Sequence, residues 1–369
     1  MAWASRGPRM SGAQSSSDGL PVVPPVERRY LLTDLLKGVS RSFYLTLKIL
    51  PSGVREPVSL AYLLARAADT ISDTTLLAPK DRLKHLLDFR AQVVGPTDIA
   101  VVQSIGKALN ELQEISKEAE LLKVLPAAIS ILDDLSSDDQ QAVRSVVVML
   151  TRGMEMDLTT FPTEDSGQVV ALDSAQALDD YIYHVAGCVG EFWTAVSMSH
   201  TASLRTWDKE AMSNLGVRFG KALQMTNVLR DVPNDLRKGR CYLTQEALSE
   251  LGLNPSDLRN VDNSHRARPA LVGGINLALD HYAAAEQYIL AIPRQNLKLR
   301  LAALWPVIIG LGTLAQLANN RRWLSPDTSS KVTKGWIYKM LILSILVGRS
   351  NGALTWWVRR LRKRVKSAL

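Results

Sequence analysis

Two pairs of aspartates carry the clearest chemical signal in the chain. In Tyr62-Leu-Leu-Ala-Arg66-Ala-Ala-Asp69-Thr-Ile-Ser-Asp73, helical spacing brings Tyr62, Arg66, Asp69 and Asp73 within about 60° of one another. In Gln224-Met-Thr-Asn227-Val-Leu-Arg230-Asp231-Val-Pro-Asn-Asp235 the same count puts Gln224, Asn227, Asp231 and Asp235 on one face. Leu, Ala, Met and Val surround both stripes, and a polar stripe on an apolar helix must face water or line a polar cavity. Carboxylates one turn apart repel by about 0.2–0.5 kcal/mol on an isolated helix, a cost that divalent cations between them would remove. Magnesium takes oxygen ligands, keeps several waters and bridges carboxylates to substrate phosphates. Two aspartate pairs facing across a cavity would hold Mg2+ against a diphosphate and neutralise it as it departs, so that an allylic C–O bond ionises. Arg66, Arg230 and Arg240 would bind phosphate oxygens directly. One such pair alone reads best as a solvated surface pair; two, each in an apolar helix and each beside an arginine, argue for a site.

The elements that must position these residues are helices. From Tyr30 onward apolar residues recur at spacings of three and four, with breaks at Pro51–Ser52–Gly53, Gly95–Pro96–Thr97 and Pro162–Thr163. No alternation of period two persists long enough for a sheet. Residues 163–173 and 254–269 read as connections. Residues 1–26, rich in Ser, Gly and Pro, read as a disordered leader. Residues 27–350 read as a single all-α domain, and residues 351–369 as a basic C-terminal tail flanked by aromatics. Pro233, between Asp231 and Asp235, would remove a backbone hydrogen bond and crowd the carbonyl of Leu229, at about 3 kcal/mol in a helix interior. A kink there would carry Asp235 off the face of Asp231.

Composition narrows the class. Hydrophobic residues make up 46% of the 369 and charged residues 22%, which suits a globular protein with a sizeable core. Cys188 and Cys241 have neither disulfide-framework nor metal-ligand spacing, which fits a reducing, cytoplasmic setting. The apolar run Leu301–Ala315 is shorter than the roughly 20 residues of a bilayer span and is interrupted by Pro306, Gly310 and Gly312, so it reads as a core helix. Trp336 to Val347 is shorter still and carries Lys339, and no transmembrane helix is expected. Lys and Arg exceed acids by 44 to 36, and six cations crowd residues 359–366 just after Trp356 and Trp357. That cluster suits peripheral contact with an anionic membrane; a solvated helix end whose cations favour the C-terminal dipole is the plainer alternative. No basic stripe elsewhere suggests nucleic acid.

These motifs resemble the squalene and phytoene synthase family, over most of the chain from about Tyr30. Asp69-Thr-Ile-Ser-Asp73 is similar to the family's first aspartate-rich motif. Asn227-Val-Leu-Arg-Asp231-Val-Pro-Asn-Asp235 is similar to its second, continued by Lys238-Gly-Arg240-Cys-Tyr-Leu-Thr-Gln-Glu246. Ser40-Arg41-Ser42-Phe43 resembles the N-terminal flap, and Tyr181-Ile-Tyr-His-Val-Ala-Gly187-Cys-Val-Gly190 the segment between the motifs. The resemblance implies an all-α isoprenoid synthase fold with a central cavity lined by two Asp-bearing helices. It implies that two prenyl diphosphates condense C1 to C1 through a cyclopropyl diphosphate. By position, Tyr181 would take the proton lost on ring closure, Phe43 would face cationic carbon, and Ser40, Arg41 and Ser42 would close over the diphosphate. Read from residue type alone, Tyr181 and Phe43 are equally core aromatics, and Ser40 a helix cap.

The family divides after the cyclopropyl intermediate. The stretch Ala303-Leu-Trp-Pro306 through Asn319-Asn320, then Lys331-Val-Thr-Lys334-Gly335, resembles squalene synthases, where the basic pair contacts NADPH phosphates. The resemblance thus implies NADPH bound through Lys331 and Lys334, which could otherwise be solubilising surface lysines. No Gly-x-Gly-x-x-Gly turn marks a Rossmann site. The expectation is squalene from farnesyl diphosphate, with a phytoene or dehydrosqualene synthase lacking a reductant as alternative. Non-catalytic family members acting as assembly factors form a different class. They would be expected to lose acidic ligands, whereas this chain keeps all four aspartates and Tyr181.

Overall fold

Helix starts fall where capping chemistry puts them. Ser136, Ser174, Asp208, Thr333 and Ser350 each accept a backbone N–H of the first turn on the side chain, pairing a donor that a helix start leaves free. A computed structural model describes residues 22–40, 43–110, 117–328 and 330–369; Arg41, Ser42 and most of the predicted leader lie outside the described residues. The fold is an all-α single domain. The helices needed here are, in chain order, α1 (Ser52–Asp73), α2 (Ser137–Thr160), α3 (Ala175–Ile182), α4 (Cys188–His200), α5 (Lys209–Arg237), α6 (Arg268–Ala291), α7 (Leu297–Asn319), α8 (Lys334–Val347) and α9 (Asn351–Lys366).

Helix α5 is the spine: it packs on α3, α4, α6 and α7, while α1 packs on α2 and α4. The approach of α4 to α5 is set by glycine. A Cβ on Gly190 would lie 1.9 Å from the carbonyl oxygen of Gly216, so any side chain there forces the two backbones apart. Between α3 and α4, residues Tyr183–Gly187 form a π-helical turn, a local widening common at functional sites, just after Tyr181. Lys221 on α5 donates to both carboxylate oxygens of Asp179 at 2.7 Å, tying α3 to the spine.

Two expectations need correction. Pro233 does not break its helix: α5 runs through it to Arg237. A small sheet also exists. Val170–Ala171 (β1) pairs in parallel with Arg240–Cys241 (β2), with Val170 opposite Arg240. Each strand is two residues long, too short for an alternating pattern to register in sequence. Gly239, at φ +78°, turns the chain out of α5 into β2, a left-handed position that glycine occupies without strain. The pair is small but consequential, because it fixes Arg240.

Helix α7 is the one described helix long and apolar enough to cross a membrane, and 83% of its apolar window is buried in the protein. It is a core helix. The basic segment 351–369 forms α9, which turns Leu354, Trp357, Val358, Leu361 and Val365 inward and packs on α6 and α7. Arg359 and Arg362 reach the buried Glu286 of α6 at 3.2 and 3.4 Å.

Candidate active site

On α1 the leucines and most alanines are buried, while Tyr62, Arg66 and Asp69 stay partly open and Asp73 is exposed. Gln224, Asn227, Asp231 and Asp235 are partly open on α5. Each stripe holds an ion pair. Arg66 binds Asp69 and, at 3.0 Å, Glu118. Arg230 grips Asp231 through two nitrogens, Nε at 2.8 Å.

The two stripes share the same cations, which places them around one space. Burial raises the pKa of Asp69, the charge of Asp73 adds to this, and Arg66 and Lys238 pull it down. Asp235 is pushed up to about 7, first by burial and then by Asp231, against the pull of Arg240 and Lys238. Lys238 thus acts on an aspartate from each helix. Arg240 lies 3.9 Å from Asp73 and 3.6 Å from Asp157 of α2, and its guanidinium is held more firmly protonated by these carboxylates despite burial.

This charge distribution fits magnesium. Among the described residues, no three His, Cys, Asp or Glu side chains converge as a metal-binding group, and each aspartate pair would offer a metal two carboxylates. Magnesium uses such sets, completing its shell with water and phosphate oxygens, whereas calcium favours fuller protein cages. Repulsion within each pair raises the pKa of Asp69 and Asp235, a cost that a bound cation would relieve.

Next to the carboxylates lies an apolar cavity of about 420 Å3, within the usual range for small-molecule sites. Phe43, Tyr62, Trp193 and Phe219 line it, with Gln224 and Asn227 as polar members of the wall. Phe43 and Tyr62 stack at 5.3 Å between centroids. A larger cleft of about 830 Å3 opens between α2, α4 and the start of α5. It contains none of the predicted site residues, so the smaller cavity is the one joined to the chemistry.

Tyr181 is 4% exposed and does not line that cavity. Its hydroxyl donates to Asp157 Oδ2 at 3.2 Å and lies equally close to the Tyr242 hydroxyl, which donates to Asp157 Oδ1 at 3.0 Å. The two rings stack at 4.8 Å. Burial pushes Asp157 up to about 6, although Arg240 and both tyrosines favour its ionised form. Burial and then the Asp157 charge raise the pKa of both phenols well above the usual value, so both stay protonated.

The remaining predicted residues fall as follows. Ser40 ends the helix Leu36–Ser40 rather than capping the next one, and its buried hydroxyl has no partner among the described residues. Lys331 and Lys334 are exposed at the entry to α8. Missing from the sequence reading are Asp157, Tyr242, Glu118 and Lys238. Lys238 and Tyr242 both stood within the quoted motif without a role, and the nearness of Lys238 to Asp231 and Asp235 in sequence was the available signal. Asp157 lies two residues from another acid, Glu155, with nothing local to separate them.

The squalene synthase of Schizosaccharomyces pombe is 26% identical over 87% of this chain and 65% of its own length. That of Eremothecium gossypii is 24% identical over 90% of this chain and 72% of its own length; the chain therefore spans about two thirds of these relatives. Among solved structures, the complex of TcSQS with the ligand E5700 superposes with a TM-score of 0.68 at 18% identity, over 93% of this chain and 99% of that one. At that identity the likeness speaks for the fold. The pattern that defines squalene/phytoene synthases matches residues 36–336, both aspartate stripes included, and the chain belongs to that family.

Proposed function

We propose that this chain joins two farnesyl diphosphates C1 to C1 through a cyclopropyl (presqualene) diphosphate and reduces that intermediate with NADPH to squalene. The carrying observation is the pair of aspartate stripes that share Lys238 and Arg240 beside an aromatic-lined apolar cavity. The squalene synthases among the relatives favour squalene as product.

Asp69 with Asp73, and Asp231 with Asp235, would hold Mg2+, which supplies positive charge to the departing diphosphate when bound. Arg66, Arg230 and Arg240 bind diphosphate oxygens, exchanging part of their carboxylate contacts. The cavity takes the isoprenoid chains and excludes water. Phe43 and Tyr62 offer ring faces to the allylic cation. On ring closure the electron pair of the broken C–H bond forms the cyclopropane C–C bond. The released proton goes to Tyr181 Oη as that hydroxyl gives its own proton to Asp157. Lys331 and Lys334 carry the charge that NADPH phosphates need.

The test is to incubate the chain with farnesyl or geranylgeranyl diphosphate, each with and without NADPH, and identify the hydrocarbons by mass spectrometry. Squalene is expected from farnesyl diphosphate only when NADPH is present. An identical hydrocarbon profile with and without NADPH would overturn the squalene assignment.

A further inference from the structure

Helix α8 is apolar on both faces. Inward, Trp336, Met340 and Val347 pack on the core, and Trp305 Nε1 on α7 donates to Ser344 at 2.8 Å. Outward, Tyr338, Ile342, Ile345 and Leu346 are 61, 65, 53 and 75% exposed. At helical spacing these four occupy a stripe about 100° wide. Single exposed apolar residues need no explanation, but a continuous stripe marks a contact. A helix apolar all round belongs in a protein interior or in lipid.

Charge selects between possible occupants. After Asp327 the chain has ten cations and no acid. With the whole chain at +8, residues 1–327 sum to −2 (8 − 10). The C-terminal sector is therefore the positive pole of the molecule, and a second copy would meet this face with like charge. An anionic bilayer offers acyl chains to the stripe and phosphate charge to its flanks, Lys339 and Arg349. The 14 residues of α8 rise only about 21 Å, too short for a hydrocarbon core of about 30 Å, so the helix would lie along the interface rather than cross it. On α9, Trp356 is 61% exposed beneath Arg360, whose guanidinium is 5.4 Å from the ring centroid, a second aromatic suited to that depth.

We infer that α8 is an interfacial membrane helix, seating Tyr338, Ile342, Ile345 and Leu346 among the lipids of an anionic bilayer with Lys339 and Arg349 at the headgroups. The basic C-terminal segment turns most of its apolar side chains to the core, so the helix before it offers the larger apolar contact, with Trp356 beside it. The membrane contact does not depend on the catalytic reading.

Flotation with vesicles of equal parts phosphatidylcholine and phosphatidylserine tests it. The full-length chain should float with these vesicles and, at low salt, bind pure phosphatidylcholine more weakly. Ile342→Ser with Leu346→Ser should lower partitioning on the order of 100-fold, with helix content and melting midpoint unchanged. Lys339→Gln and Arg349→Gln should each lower it about fivefold. A fluorophore on Leu346→Cys should shift to the blue on the mixed vesicles; Cys188 and Cys241 are buried, with thiols pushed up to about 12, and stay unlabelled. Failure of the full-length chain to bind, or undiminished binding by the double serine variant, overturns the inference. So does a lipid-free dimer that the same serines dissociate, because a second copy would then cover the stripe.

Discussion

Helices α1 and α8 are opposite exceptions to one rule. Helix α1 carries a polar stripe through apolar surroundings and turns it inward; α8 carries an apolar stripe and turns it outward. In α1 the mismatch is resolved within the molecule, by Arg66, Lys238 and Arg240 around the aspartates. In α8 nothing in the described chain covers the stripe, and its complement must come from outside. Both helices show that pattern set against burial marks function, and that the sign of the mismatch says whether the partner is a charged ligand or an apolar surface.

The comparison breaks most sharply at the inward stripe. Asp69→Asn and Asp231→Asn each remove a ligand charge while keeping shape, and each should lower turnover by at least about 1,000-fold, the scale of a lost electrostatic contact in the transition state. Each change removes both the repulsion from the i+4 aspartate and the ion pair with the adjacent arginine, so the two effects oppose and the melting midpoint should shift little. Near-normal turnover at limiting magnesium would remove the metal reading of α1 and α5.

The proton path gives the next largest effect. With Asp157 pushed up to about 6, its carboxylate is protonated below that pH and cannot receive the Tyr181 proton. First-step turnover should therefore fall as pH drops through about 6. Asp157→Asn should lower the rate about 100-fold or more and flatten that acid limb, a readout that a packing role would leave in place. An unchanged limb in the variant would show that the proton leaves by another route.

The inward stripe was legible because its signal is local: residues 62, 66, 69 and 73 report their shared face by spacing alone, as do 224, 227, 231 and 235. The helical fold was legible for the same reason, since apolar spacing and breaks at Gly95–Pro96 and Pro162 are short-range. Asp157 and Tyr242 were not. They meet Tyr181 across 24 and 61 residues of chain, through packing of α2, α3 and β2 that no periodicity encodes. The outward stripe of α8 was hidden for a related reason. Trp336 to Val347 is apolar on both sides, and only the placement of α7 decides which side is covered.

The smallest effect concerns Lys331 and Lys334, which are exposed at the entry to α8. If they serve the cavity, they hold NADPH phosphates, and each lost charge-assisted contact costs about 1.5–3 kcal/mol. Lys331→Ala with Lys334→Ala should then weaken reductant affinity more than tenfold while leaving the first condensation intact, because the aspartates and Tyr181 lie on other elements. The cyclopropyl diphosphate or its unreduced rearrangement products should accumulate at ordinary NADPH, and saturating NADPH should restore squalene. If the pair instead belongs to the surface of α8, vesicle partitioning should fall several-fold and the NADPH dependence stay as it was. Measuring both on the same variant assigns the start of α8 to one region or the other.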